Sequence, residues 1–443
     1  MPSGLLGSGR PDRRRERGRF ACVRFLLSNL RFCASIICIL IRKNLILLVL
    51  MLVPARAFAQ TTEAGEPPPT VRVRLGPLFV NPTIGLTNAG VDDNVFNQSD
   101  PALAQSDFTM TVTPAADLWL RFGPSWISAT LKEDLVYYNK FASERSANTN
   151  LRLNWRIPFN RLVLNPGVAY LNTRERPGFE IDARSQRTEV DYNGSAELRV
   201  MSKSFVGARV DRRTTTFAQD ATFLGTNLSD ELNRTVTTFG VTARHQLTPL
   251  TSITFDASRE QDRFEFSPDR DTDSTQFTGG LKFDPAALVK GGATFGYRNF
   301  KPLAAGVPSY QGATVNVDVS YVPLDGTRFA LTVARDVQYS YDVNQPYYLQ
   351  TGATASLSQQ IFGPVDVVGR IGAQQLDYRG RAGASVAIPE RVDHIKSYGG
   401  GVGYHIGRDL RIGFNADRQQ RTSPVNFKQY TDVRYGFAVT YGS

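Results

Sequence analysis

The side chains best suited to catalysis in this sequence are its three histidines, His245, His394 and His405. In a hydrolase, one of them would act as the base that activates a nucleophile within hydrogen-bond reach. The sequence has no Gly-x-Ser-x-Gly turn and no pair of histidines at metal-binding spacing, and its last cysteine is Cys38. We therefore interpret the histidines as structural, and we predict a protein that is not an enzyme and has no cofactor.

Two acidic segments and one glycine run could also bind ions. The acidic segments, residues 91–94 and 267–273, lack the glycine and the terminal glutamate of a calcium-binding EF-hand loop. The glycine run, residues 399–403, precedes no predicted helix, and a phosphate-binding loop would need the N-terminus of one. We predict hydrated loops for the acidic segments and a bend in a β-sheet for the glycine run.

The net charge of +10 is confined to the beginning of the chain. Residues 1–59 hold eleven of the 51 Lys and Arg residues and two of the 41 Asp and Glu residues, so residues 60–443 are close to neutral. A nucleic-acid-binding domain would carry a basic patch, and the neutral remainder argues against one. All three cysteines also lie in this first stretch, which excludes a disulfide framework after it.

The same stretch contains the pattern of a secretory signal peptide. Two basic residues precede the apolar residues 45–53, and Ala57-Phe58-Ala59 has small residues at both ends, which predicts cleavage between Ala59 and Gln60. Signal peptides have about 15–30 residues, so we interpret the residues before about Leu40 as a mis-called extension. The alternative is a long leader or an uncleaved membrane helix. Residues 60–70 are predicted to be a flexible lead-in.

From residue 71 onward, apolar and polar residues alternate, as they do in β-strands. For example, Val315, Val317 and Val319 alternate with Asn316 and Asp318. The alternating runs have about 10–16 residues, against roughly 5–6 in soluble sheets, and a tilted strand needs about 9–11 to cross a bilayer. We predict an all-β fold, a transmembrane antiparallel up-and-down β-barrel over residues 71–443.

Short and long connections between the predicted strands alternate without interruption. Eight short turns rich in Gly, Pro, Asn and Asp alternate with nine longer polar segments, which gives eighteen strands, with sixteen as the alternative. An even number of strands puts both chain ends on one side, and short turns face the periplasm in such barrels. Residues 91–106 and 219–233 are the longest loops and the first candidates for a plug in the lumen.

Charged residues on the predicted strands are expected to face the lumen, because a charge facing mid-bilayer lipid costs roughly 2–4 kcal/mol. This set is Asp191, Glu197, Arg199, Arg244, Asp256, Arg259, Arg298, Asp318, Asp336 and Arg370. Both signs are present, so we expect no strong preference for anions or cations, and mutual pairing explains the charges equally well. Three tryptophans near short turns are expected to form an aromatic girdle at the membrane interface; they are Trp119, Trp126 and Trp155.

The sequence resembles the putative β-barrel porin type 2 family of bacterial outer-membrane proteins. The resemblance rests on residues 76–86, on the Asp/Asn cluster at 91–95 and on Asp107 leading to Pro114, and it covers nearly all of residues 70–443. It implies a place in the outer membrane of a Gram-negative bacterium and insertion by the barrel-assembly machinery. For many members it also implies polysaccharide export beside a periplasmic export protein.

Taken together, these observations favour a porin-like conduit that passes polar solutes, with polysaccharide export as its more specific form. A structural or surface-receptor barrel that acts through its extracellular loops is the alternative from another class, and an embedded outer-membrane hydrolase is the third. The expected surroundings are outer-membrane lipid, without nucleic acid. The sequence leaves the oligomeric state open.

Overall fold

The computed structural model describes residues 65–68, 71–285, 287–324, 326–384 and 391–442. Eighteen long antiparallel strands form one sheet over these ranges. In chain order they are β1 Leu78–Asp92, β2 Asp107–Phe122, β3 Ser125–Tyr138, β4 Ser146–Pro158, β5 Leu162–Thr173, β6 Arg187–Arg199, β7 Ser204–Phe217, β8 Arg234–Thr248, β9 Thr251–Phe264, β10 Thr272–Phe283, β11 Val289–Pro302, β12 Tyr310–Leu324, β13 Thr327–Tyr339, β14 Tyr347–Phe362, β15 Val365–Arg379, β16 Val392–Ile406, β17 Leu410–Thr422 and β18 Tyr430–Tyr441.

The sheet closes on itself because its first and last strands pair. Gly85 of β1 lies opposite Thr440 of β18, and Asp92 lies opposite Arg434. Each of the other strands pairs with its neighbours in the sequence. The predicted up-and-down barrel of eighteen strands is therefore confirmed, and the alternative count of sixteen is wrong. All eight short turns predicted from the sequence lie at one end of the barrel, which we call the short-turn end, and the nine long loops lie at the long-loop end.

The two faces of the wall follow from the period of two along each strand. Large apolar side chains such as Val241, Phe255 and Phe277 are exposed on one face. On the other face, ion pairs join strands that are two apart, such as Arg209 on β7 and Asp256 on β9. Side chains converge on the inside of a closed barrel and diverge on the outside, so the face with these pairs is the inner one.

Among the residues that the structure describes, little regular structure occurs outside the barrel strands. The long loops contain one short α-helix, Leu228–Leu232, in which the Asn227 side chain accepts a hydrogen bond from the Ser229 amide. They also contain the short strands Thr222–Phe223 and Thr226–Asn227 and the 3-10 turns Ala142–Glu144, Pro268–Arg270 and Asn426–Lys428. Within the described ranges, no helix has the length and apolar character needed to cross a membrane.

A short strand, Val73–Leu75, leads into the barrel and pairs with the start of β1. Arg72 fixes it to the short-turn end through an ion pair of 2.7 Å with Asp409. The predicted signal peptide, its cleavage site between Ala59 and Gln60, and most of the predicted lead-in lie outside the described residues. They therefore remain predictions from the sequence.

Candidate functional site: the lumen and its loops

The inner wall carries ion pairs that reach over an intervening strand. Each joins an arginine to a carboxylate two strands away, and most are bidentate, the arrangement in which a guanidinium binds most firmly. Arg244 donates to Glu197 over 2.7 and 2.8 Å, for instance, and Arg370 donates to Asp417 over 2.9 to 3.1 Å. The other such pairs are Arg209–Asp256, Arg411–Asp366, Arg298–Asp336 and Arg298–Glu260.

Glycines on the intervening strand make room for two of these pairs. A Cβ atom on Gly399 of β16 would overlap Asp417 Oδ1, and one on Gly403 would overlap the guanidinium of Arg411 and the carboxylate of Asp366. The glycine run at residues 399–403 thus does more than ease bending. It lets side chains of β15 and β17 meet on the luminal side of β16.

Replacement of Gly399 by valine should separate Arg370 from Asp417. We expect a loss of about 1–3 kcal/mol of barrel stability, because hydrogen bonds to charged groups contribute on this scale. The temperature at which the folded band disappears on unboiled SDS gels measures the effect. Gly400→Val is the matched control: Gly400 lies on the outer face, where its nearest contact for a Cβ is an ordinary 3.6 Å. Equal melting of the two variants would contradict this role of Gly399.

Nine of the ten charged residues assigned to the lumen lie on the inner face. They are Asp191, Glu197, Arg199, Arg244, Asp256, Arg298, Asp318, Asp336 and Arg370. Arg259 is a correction. It lies three residues after Asp256 on a regular part of β9, so it points outward with Phe255. It belongs to the half of β9 nearer the long loops, where it pairs with Asp273 at 2.9 Å and its side chain is 64% exposed. A charge near the interface costs little.

The aromatic girdle also needs correction. Trp155 lies on the outer face with Leu151 and Leu153, but strand pairing places Trp119 and Trp126 on the inner face. The Trp126 ring lies 5.6 Å from the ring of Phe79, with β2 between their strands. Distance from a short turn fixes the depth of a side chain, whereas the parity of its position fixes its face. Trp119 and Trp126 met only the first condition, whereas Trp155 met both.

The assignment of the two faces can be tested by chemical labelling, because the chain has no cysteine after Cys38. In proteoliposomes, we expect a charged, membrane-impermeant maleimide to label Asp256→Cys to completion and to leave Phe255→Cys unlabelled, since one thiol faces water and the other faces lipid. Mass spectrometry of the intact protein reads the result. Labelling of Phe255→Cys alone would reverse the assignment.

Three long loops meet across the mouth of the lumen: residues 174–186 after β5, 218–233 after β7 and 340–346 after β13. We call them the loop plug. Glu180 of the first loop is only 2% exposed. Its carboxylate accepts hydrogen bonds from Ser340 Oγ at 2.6 Å and from the Tyr341 amide at 3.2 Å. Since β6 and β13 are seven strands apart in the wall, these contacts span the opening of the barrel.

Arg421 of β17 fixes the same loop to the wall and is 1% exposed. Its guanidinium donates to the Phe179 carbonyl at 3.0 Å and to Asp182 Oδ2 at 2.9 Å. It also donates to Asp393 Oδ2 of β16 at 2.6 Å. Asp393 in turn accepts from Arg391 and Ser423. One buried arginine therefore links the loop tip to two strands.

Apolar packing and one buried cation complete the loop plug. A cluster joins residues of all three loops and the end of β7; its buried members are Ile181, Phe217, Phe223, Leu228, Leu232 and Tyr341. The Lys428 ammonium lies 4.2 Å from the centre of the Phe223 ring and 4.7 Å from that of Tyr341. Burial lowers the pKa of Lys428 to about 8, although the nearby Glu180 carboxylate opposes the shift. Burial likewise raises the pKa of Glu180.

A cavity of about 510 Å³ remains between the first loop and the wall formed by β1–β4, β15, β17 and β18. It is lined by both charged and neutral side chains, including Arg174, Arg184, Tyr138, Asp92 and Asp417. The loop plug therefore narrows the lumen at this level and leaves this cavity on one side. Among the described residues, no three His, Cys, Asp or Glu side chains are grouped to hold a metal ion.

The acidic segments use their carboxylates within the protein. Asp92 pairs with Arg434 at 3.1 Å, and Asp93 accepts a hydrogen bond from the Val433 amide at 2.6 Å. In the second segment, Asp269 pairs with Arg381 at 3.1 Å and Asp271 accepts from the Phe264 amide at 2.8 Å. These carboxylates stabilise loops and strand ends through ion pairs and hydrogen bonds.

The histidines do not come together. His245 Nδ1 lies 2.9 Å from Ser204 Oγ, on the outer face at the short-turn end, where both groups are exposed. Within the described ranges, no carboxylate pairs with His245 to orient it as a catalytic base would require. His405 Nε2 lies 2.8 Å from Asp366 on the inner face, and His394 faces outward near the long loops.

A closed barrel of eighteen strands with an apolar exterior, a charged interior and loops folded over its mouth defines a porin-like outer-membrane β-barrel. The chain belongs to the family described as Putative beta-barrel porin 2, whose model matches residues 67–442. The resemblance noted in the sequence is thereby confirmed. The proteins of this family are outer-membrane barrels.

Several solved porin structures are similar to this chain at low identity. A BenF-like porin from Pseudomonas fluorescens Pf-5 has 11% identity and a TM-score of 0.47, covering 83% of this chain and 98% of its own. OpdK of Pseudomonas aeruginosa with vanillate has 10% identity and a TM-score of 0.44, covering 82% of this chain and 98% of its own. OccK3 (OpdO) of the same species has 11% identity and a TM-score of 0.41, covering 82% of this chain and 95% of its own. No curated protein sequence matches the chain.

Proposed function

We propose that the protein is a water-filled channel that passes small polar solutes across the outer membrane. The observation that carries this proposal is the inner wall, which is lined by charged side chains, many of them in arginine–carboxylate pairs, rather than by a packed apolar core. A barrel of 16–18 strands encloses an aqueous channel unless loops fill it. Here the loop plug narrows the channel and leaves a lined cavity beside it.

Swelling of proteoliposomes in sugars of increasing size tests the proposal. We expect arabinose and glucose to enter rapidly and raffinose to enter slowly, because the loop plug restricts the opening. Protein-free liposomes and liposomes with boiled protein are the controls. Swelling rates equal to those of the controls for every sugar would overturn the proposal. The surface-receptor barrel would then take its place.

Polysaccharide export with a periplasmic partner, which the family resemblance implied, comes second. No described contact supports it, and the loop plug would have to leave the lumen before a polymer chain could pass. We keep the outer membrane, with insertion by the barrel-assembly machinery, as the proposed location because the outer face carries a broad apolar surface. Normal polymer secretion by a deletion strain would remove the export version without affecting the channel.

A further inference from the structure

Many arginines of the inner wall pair with carboxylates, as in Arg370–Asp417 and Arg244–Glu197. Three arginines of the loop at residues 174–186 have no carboxylate within ion-pair distance among the described residues. They are Arg174, Arg176 and Arg184, and all three line the cavity beside the loop.

Among the described residues, Arg184 has an aromatic and a cationic neighbour but no carboxylate within ion-pair distance. Its guanidinium lies over the ring of Tyr138 at 4.3 Å from the centre. Burial and, to a smaller extent, the positive charge of Arg434 lower its pKa to about 10, and the negative charges of Asp92 and Asp432 offset this only in part. Arg434 already pairs with those two carboxylates, at 3.1 and 2.8 Å. The Arg184 cation is thus held beside another cation without an anion of its own.

The other two loop arginines also lack an acidic partner among the described residues, so the excess of positive charge at the cavity remains. Arg176 donates to the Asp182 and Val95 carbonyls at 2.7 and 2.8 Å, which are neutral partners. The Arg174 amide is held by Asn148 Oδ1 at 2.9 Å, and no described partner binds its guanidinium. In total, the cavity lining has five arginines against the three acids Asp92, Glu175 and Asp417.

Resting on the function proposed above, we propose that this cavity is a binding site for small solutes that carry an oxyanion, a carboxylate or a phosphate. Guanidinium groups bind both through paired N–H donors, and a volume of about 510 Å³ lies within the range of about 300–1,000 Å³ of small-molecule sites. Val136 gives the body of the solute an apolar contact. The channel then favours anions at the loop, although its wall is balanced.

Block of single-channel current by three solutes of similar size tests the site. We expect gluconate and glucose 6-phosphate to block the current in a concentration-dependent manner and glucose to leave it unchanged. In Arg174→Gln/Arg184→Gln, the blocking concentration should rise about tenfold or more, since two charge-assisted contacts to the oxyanion are lost. Arg184→Lys keeps the charge and should lie between the two, and Arg408→Gln, in the short turn after β16, should behave as wild type.

The outcomes are distinguishable. Block by gluconate alone or by glucose 6-phosphate alone assigns the site to carboxylates or to phosphates, and block by both assigns it to oxyanions in general. Current that none of the three solutes blocks would overturn the site and leave the channel standing, and so would block that is equal in wild type and the double variant. Absence of any current would instead overturn the proposed function. Heat-modifiable migration confirms that each variant is folded.

Discussion

Removal of the tip of the first plug loop should widen the channel. With residues 176–184 replaced by a short Gly-Ser linker, we expect the single-channel conductance to rise about two- to threefold and raffinose to enter liposomes as fast as glucose. The reason is that an unobstructed barrel of this size encloses a continuous aqueous channel. The deletion removes Glu180 and Asp182, and with them the contacts to Ser340 and Arg421 that hold the loop across the mouth.

A loop of the same end that stays near its own strands is the control. Residues 140–144, between β3 and β4, contact Phe96 and Asp107 but make no described contact with the opposite wall. Shortening this loop should leave conductance and sugar selectivity unchanged. Equal conductance in wild type and in the variant without residues 176–184 would mean that the first loop does not obstruct the path of ions.

Loss of the Arg421 side chain should release the same loop without shortening it. Arg421→Met leaves Asp182 without its ion-pair partner and Asp393 with one fewer, and breaking a buried pair by removing one member costs about 3–5 kcal/mol. We expect an unsteady current with frequent transitions, and rapid tryptic cleavage after Arg176 or Arg184 in the refolded barrel. Mass spectrometry of the fragments identifies the site of cleavage.

Two further variants make this prediction specific. Arg421→Lys keeps the charge but loses the planar fork that joins the loop carbonyls to Asp393, so intermediate protection is expected. Arg408→Met removes an arginine at the short-turn end and should resemble wild type. If Arg421→Met resists trypsin and conducts as steadily as wild type, the Glu180 contacts and the apolar cluster hold the loop without Arg421.

The barrel could be predicted from the sequence because its determinants are local. Alternation reveals each strand, and short turns rich in Gly, Pro and Asn separate strands that pair with their neighbours, so no long-range contact had to be guessed. Parity within a strand was equally available: Arg259 lies an odd number of residues from Asp256, which already puts the two on opposite faces. The assignment of Arg259 to the lumen was wrong because the free-energy cost of a lipid-facing charge was given more weight than the alternation along the strand.

The loop plug could not be predicted in the same way. Loop length pointed to residues 91–106 and 219–233, and the second of these is part of the loop plug. The buried carboxylate that crosses the lumen, however, belongs to the shorter loop at 174–186. A signal was present in Phe179 and Ile181, two apolar residues that flank Glu180 in an otherwise polar segment. Which wall such a segment would reach depends on contacts between residues 160 or more positions apart, such as Glu180 and Ser340.

The most direct test of this account is the single-channel conductance of the purified, refolded protein in a planar bilayer. We expect steady openings of one main size, smaller than those of the variant without residues 176–184. Such openings would establish an open channel narrowed by its own loop. A correctly folded, heat-modifiable barrel that stays silent at every voltage, both as wild type and without the loop tip, would contradict it.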